Sequence, residues 1–320
     1  MKTTVSEITK AQIDFYESNY VPVETLMLNF SQKKYLGSKT NQVCRFCGLS
    51  KPDTKFSDKA HALPELIGNK VLFSNYECNI CNNKFSRTLE DHFAKYTGLS
   101  RTLSQIKGKK GVPSYKSKDK KSRIDYDNDN FSIITSIDNE IASVNKENKK
   151  LIINGELQPY NPRSVYKCLV KMALSIMPED EISNFKNTIS WINIENFEDD
   201  AIKTNSFVCL HSFTPGRDPF PFITATLLKR KRDDLIVPYM SFFLSFSNYS
   251  FQIFIPFTKK DENILGKQIP LEYFPNFYSD NINVKYRIIN LSKNEIVKND
   301  MNKMTYKFKN IDIVRYDEKV

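Results

Sequence analysis

Apolar residues recur along this chain with two different periods, and the switches between them outline its elements. Phe85, Leu89 and Phe93 stand at i, i+4 and i+8, the period of a helix that buries one face. Residues 163–177 have the same period, with Val165, Cys168, Leu169, Met172, Ala173 and Ile176 on one stripe. Pro162 and Pro178 limit the ends of that amphipathic helix. Elsewhere the period drops to two or the runs are short and β-branched, which predicts strands at 131–137, 151–153, 189–194, 207–213, 222–228, 239–246 and 251–257, with further runs after Asn283. Residues 235–258 carry no charge after Asp234, yet Met240, Phe242, Leu244 and Phe246 alternate largely with serines. Ser247-Asn248-Tyr249-Ser250 is a turn signal, so this stretch is predicted to be a buried hairpin and not a membrane span.

The pattern implies an α+β protein of four parts. Residues 1–40 combine a polar helical start (6–20) with an apolar run (21–30), as expected of an arm packed on a domain. Residues 41–106 form a small cysteine- and histidine-bearing unit. Residues 107–125 are expected to be an exposed basic linker, and 126–320 a larger strand-rich α+β domain in which no catalytic motif is recognised. No repeat of solenoid length is present.

Composition narrows the partners. The 320 residues carry a net charge of +10 with 40% apolar and 26% charged residues, as in a folded domain with a polyanionic partner. Lys107, Lys109, Lys110, Lys116, Lys118, Lys120, Lys121 and Arg123 concentrate part of that charge, in a stretch that suits both a linker and a phosphate-tracking segment. Residues 1–10 are polar, so no secretory signal is expected. The cysteines are accordingly expected to be metal ligands in a reducing cytoplasm, with Cys168 and Cys209 as small core residues.

The densest chemistry lies between Cys44-Arg-Phe-Cys47 and Cys78-Asn-Ile-Cys81. Two C-x2-C pairs supply four thiolates, a full tetrahedral set for structural zinc. The insert between them is a hairpin candidate, 59–63 and 70–73 about a turn at 64–69, and a helix follows: a ββα unit stabilised by its metal. His61 lies in the insert. It is a structural histidine, a substitute zinc ligand, or a base; four cysteines already fill a tetrahedron, and a neutral imidazole can deprotonate a water attacking a phosphodiester. Asn82 can offer a carbonyl oxygen to a divalent ion.

The string His61-x-x-Pro64-x-x-x-Gly68, followed by Asn75-x-x-Cys78-x-x-Cys81-Asn82, resembles the zinc-stabilised ββα-metal branch of the HNH endonucleases over residues 41–97. The resemblance implies that His61 is the general base, that Asn75 orients it and braces the loop, and that Asn82 ligates a catalytic Mg2+ or Mn2+. Many members carry Asp directly before the base, where this chain has Ala60. Asp58, Glu65, Glu90 and Asp91 are the carboxylates within reach, Glu90 and Asp58 being taken as ion ligands. On an α-helix Glu90 aligns better with Asn83, seven residues away, than with Asn82, eight away. The alternative is a zinc-dependent nucleic-acid-binding protein without catalysis.

The resemblance further implies hydrolysis to 5′-phosphate and 3′-hydroxyl ends, with DNA ahead of RNA as substrate and a homodimer if opposite strands are cut. A small nuclease fused to a large domain without chemistry of its own is similar to bacterial antiviral defence effectors, in which the larger domain binds a ligand or protein partner and gates cutting. His92 and His211 are expected to be helix-end and core histidines, and Lys229–Arg232 a solvated loop.

Overall fold

The structure is a computed structural model that describes residues 7–29, 31–127, 130–136, 138, 140–194, 207–276 and 283–313. Residues 6, 30 and 137, at the ends of three predicted runs, lie outside them. In chain order the elements begin with helix α1 (Glu7–Asn19), β1 (Tyr20–Leu28), β2 (Lys34–Leu36) and β3 (Leu72–Ser74). A helical run follows: α2 (Asn79–Phe85), a π turn at Ser86–Glu90, α3 (Asp91–Tyr96) and α4 (Gly98–Leu103). Strands β4 (Tyr115–Lys116), β5 (Arg123–Asp127), β6 (Asn130–Ile134), β7 (Ala142–Asn145) and β8 (Lys150–Glu156) lead to helices α5 (Pro162–Ile176), α6 (Glu179–Ile182) and α7 (Lys186–Asn193). Last come β9 (Val208–Phe213), β10 (Phe220–Arg230), β11 (Met240–Ser247), β12 (Tyr249–Phe254), β13 (Lys285–Asn290) and β14 (Met301–Lys307).

The main sheet is antiparallel, in the order β1-β10-β11-β12-β9-β13. The uncharged stretch forms the predicted hairpin, β11–β12, with Ser247 in the left-handed region at its turn. No described helix is long and apolar enough to cross a membrane. Residues 21–28 of the apolar run fall in an edge strand of this sheet, β1, paired from Tyr20↔Arg230 to Leu28↔Ile223. Two small three-stranded sheets run β14-β8-β7 and β4-β5-β6. The basic stretch 107–123 contains β4 and enters β5. Tyr115, Ser117 and Ser122 are buried there while the lysines stay exposed.

Two predicted elements differ. Residues 189–194 lie largely in helix α7, because Thr188, Trp191 and Ile192 fall at i, i+3 and i+4 and bury one helical face; Trp191 packs on Phe207 at 4.9 Å. The β-branched residues there had suggested a strand. Helix α5 forms where predicted, with Asn161 as N-cap accepting from the Ser164 N–H and Pro162 at N1. Its burial is not confined to the apolar stripe, however. Thirteen of its fifteen residues are buried, Lys167 and Lys171 included, as befits a helix enclosed on all sides. One side meets the sheet through Tyr166, whose hydroxyl donates to the Phe254 carbonyl; the other meets α3 and the π turn. One contiguous apolar core runs from Phe46, Leu63 and Phe85 through α5 to Phe242 and Ile253.

Candidate metal centre and active site

The first cysteine pair sits on a tight knuckle: the Gly48 N–H donates to the Cys44 carbonyl, and the Cys44 N–H to that of Leu49. The second pair opens α2, with Cys78 at its N-cap. The Arg45 N–H donates to the Tyr76 carbonyl and joins the knuckles. All four sulfurs lie within 4.8 Å of one another, and Cys47 Sγ is 3.7 Å from Cys78 Sγ. A tetrahedral Zn2+ with Zn–S near 2.3 Å separates its sulfurs by about 3.8 Å, so the cluster fits zinc. The Cys78 N–H points at Cys44 Sγ from 3.5 Å, and hydrogen bonding from Cys81 with other nearby donors draws the Cys44 thiol down to about 4, ready to bind as thiolate. Among the described residues this is the only set of three or more His, Cys, Asp or Glu side chains gathered around one possible ion position.

His61 faces Phe73 across an isolated antiparallel bridge, its ring 4.8 Å from that of Phe73. Ala62 N–H donates to the Leu72 carbonyl and Ser74 N–H to that of Ala60, so the predicted hairpin pairs, although only β3 is long enough to count as a strand. The loop between starts at Pro64, makes a 3-10 turn at Glu65–Ile67 and leaves through Gly68 at φ 98°, a left-handed conformation that strains any residue with a Cβ. Asn69 holds the loop from inside. Fully buried, its amide donates to the Leu63 and Leu72 carbonyls and its oxygen accepts from the Val71 and Leu72 N–H groups. Asn75, expected to orient the base and brace the loop, donates instead to the Gly37 carbonyl at 2.9 Å and ties the end of β3 to the turn after β2.

His61 is half-buried. Its Nδ1 is enclosed without a hydrogen-bond partner. Burial lowers its pKa below the usual 6.5 and nearby Lys171 adds to this, while Glu65 and Glu90 pull the other way. Both carboxylates therefore act on the imidazole electrostatically.

Glu90 closes the π turn, where the Asp91 N–H reaches back five residues to the Ser86 carbonyl. The wide turn takes up one extra residue. Asn82 and Glu90, eight apart, thus stand as residues seven apart do in an unbroken α-helix, about 20° off one line. Glu90 Oε1 lies 3.4 Å from Lys171 Nζ, and Oε2 has no protein partner among the described residues. Asn82 is half-exposed. Asp58 is exposed in a loop whose N–H groups are tied to Asn79 Oδ1. Mg2+ keeps most of its waters and takes one or two protein oxygens.

Sequence reasoning missed Lys171 and Glu77. Lys171, with no exposed side-chain surface, projects from α5 to pair with Glu77 at 2.9 Å and donates to the His61 carbonyl at 3.3 Å. Burial raises Glu77 to about 7 against the pull of Lys171. Burial alone would lower Lys171, but Glu77 and Glu90 hold it above its ordinary value. The lysine lies in an apolar helix and Glu77 adjoins a cysteine pair, so only the fold connects them.

The remaining histidines are structural. His92 Nδ1 accepts the Asn161 N–H at 3.1 Å, and Asp91 pairs with Lys95 at 2.6 Å. His211 packs on Phe251, and burial lowers it to about 4. The run 229–232 is not a uniformly solvated loop: Arg230 is buried and donates to the Val237 and Lys260 carbonyls, and Lys229 pairs with Glu181.

Residues 44–97 match the family model described as HNH endonuclease, which covers the cysteine cluster, the His61 loop and the helices through α3. No curated protein and no solved structure matches the chain.

Proposed function

We propose that this protein is a metal-dependent endonuclease that hydrolyses DNA with His61 as general base. The observation that carries this is the setting of His61: a half-exposed imidazole whose pKa burial lowers, within electrostatic reach of Glu65 and Glu90, on a loop fixed by Asn69 between the two cysteine pairs. Neutral Nε2 accepts the proton of the attacking water. Asn82 and Glu90 are the groups that would hold Mg2+ or Mn2+, with Asp58 on the exposed loop as a further carboxylate. When bound, such an ion would supply electrostatic stabilisation of the scissile phosphate and its leaving oxygen. Lys171 holds the His61 strand and Glu90 against α5, and the exposed lysines of 107–121 offer phosphate contacts.

Ala60 favours a second reading. It is buried at the position that supplies a metal-binding Asp in many HNH endonucleases, as in a nucleic-acid-binding protein that has lost catalysis. Cleavage of plasmid in Mg2+, Mn2+ or EDTA by wild type and Glu90→Gln separates the two. The nuclease reading expects cutting that EDTA abolishes and a Glu90→Gln enzyme needing several-fold more Mg2+. Binding with no cutting under any ion would establish the second reading.

A further inference from the structure

A cavity of about 160 Å³ lies away from His61, between the end of the helical run and the edges of two sheets. Its walls are α3 and α4, the strands β9, β11 and β12 of the main sheet, its edge strand β13 and the edge strand β14. A cavity of about 150 Å³ admits a benzene ring, so there is space for one flat ring. Tyr249, Phe251 and Tyr306 provide aromatic walls, and Ser100 and Asn302 provide polar atoms.

The charge on the lining is unbalanced. Arg101, Lys285, Arg287 and Lys303 are cations, and Asp300, the single carboxylate, already accepts the Tyr160 hydroxyl at 2.8 Å. None of the four cations makes an ion pair among the described residues. Lys285, Arg287 and Lys303 are exposed and form the rim. Arg101 sits deeper: its Nε is enclosed without a partner, and burial lowers its pKa with no carboxylate to offset this. His211 Nδ1 is also enclosed and unpaired. Arg101 Nη2 lies close against Gly108, where an added Cβ would stand 3.2 Å from it. Buried donors are usually paired, and an unpaired cation lining a cleft marks a candidate binding site.

We propose that this cavity binds a nucleotide, its base between the aromatic walls and its phosphates on Arg101 and the cationic rim. The lining carries a surplus of three positive charges, which suits a diphosphate. A carboxylate would neutralise a third of it. This site is independent of the nuclease reading, because its test measures binding alone.

The experiment is calorimetric titration of the full zinc-loaded chain, in Mg2+-free buffer, with ADP, GDP, CDP and UDP, and in parallel with inorganic phosphate and the four nucleosides. At least one diphosphate is expected to bind one-to-one, at least tenfold more tightly than phosphate or its own nucleoside. The double variant Arg287→Glu, Lys303→Glu alters exposed side chains only; thermal unfolding verifies its fold, and it is expected to weaken binding at least tenfold. The proposal is overturned if no diphosphate binds at millimolar concentration, if phosphate alone binds as well, if the double variant binds like wild type, or if a single-stranded 12-mer displaces the nucleotide, which would make the cavity part of a nucleic-acid path.

Discussion

At the scale of the residue, His61 is governed by what surrounds its ring. Burial and Lys171 lower its pKa, and Glu65 and Glu90 raise it. For His61 as the proposed base the acting form is the neutral one, so kcat/KM should rise with pH through an acid limb lying below the ordinary 6.5. Removing a neighbouring negative charge favours the neutral imidazole further. The Glu65→Gln enzyme should therefore keep its activity to lower pH than wild type, and pH–rate profiles of the two measure the shift; an acid limb displaced upward would contradict the assignment. His61 and the cysteines were legible in the sequence because their spacing is itself the signal. Asn69 was not, because a polar residue after glycine looks like any turn residue until its four hydrogen bonds to buried backbone are seen. Asn75 had the motif position but a different partner, the Gly37 carbonyl.

At the scale of the element, the helical run after Cys78 does three things in succession. Its first turn carries Cys81 and Asn82, its π turn delivers Glu90, and α3 packs on the sheet through Phe93 and Phe251, whose rings are 5.6 Å apart. The apolar spacing of Phe85, Leu89 and Phe93 announced the helix, but not the extra residue in the π turn, because local i→i−5 bonding leaves no mark on so short a hydrophobic pattern. Helix α5 was placed correctly and its surroundings were not, since a stripe of apolar residues cannot reveal that Lys167 and Lys171 are buried as well. Lys171→Met should test that burial. Deleting the ammonium leaves Glu77 enclosed without a cation, at a cost of about 3–5 kcal/mol. Adding Glu77→Gln should return part of that loss. Urea unfolding of both variants measures it, and additive losses would show that the two side chains do not act as a pair.

At the scale of the whole molecule, the cysteine unit is built into the rest of the fold. Arg45 donates to the Leu174 and Met177 carbonyls at the end of α5, Asn193 of α7 donates to the Phe46 carbonyl, and β1 belongs to a sheet whose other strands come after residue 207. The small unit and larger strand-rich region were legible as pieces. Their shared core was not, because contacts across more than a hundred residues have no local signature. A chain cut to residues 1–106 loses α5 and every partner of β1, and circular dichroism melting should find no cooperative unfolding; a folded, cutting fragment would show that the unit is autonomous. The claim on which the rest depends is that His61 activates water for phosphodiester cleavage. Its most direct test is cleavage of supercoiled plasmid by full-length wild type and His61→Ala, matched for zinc content and DNA affinity, in Mg2+ or Mn2+. The expected result is a loss of about 10²–10⁴-fold in the cleavage rate with zinc and binding unchanged. A His61→Ala protein that cuts at the wild-type rate would contradict it.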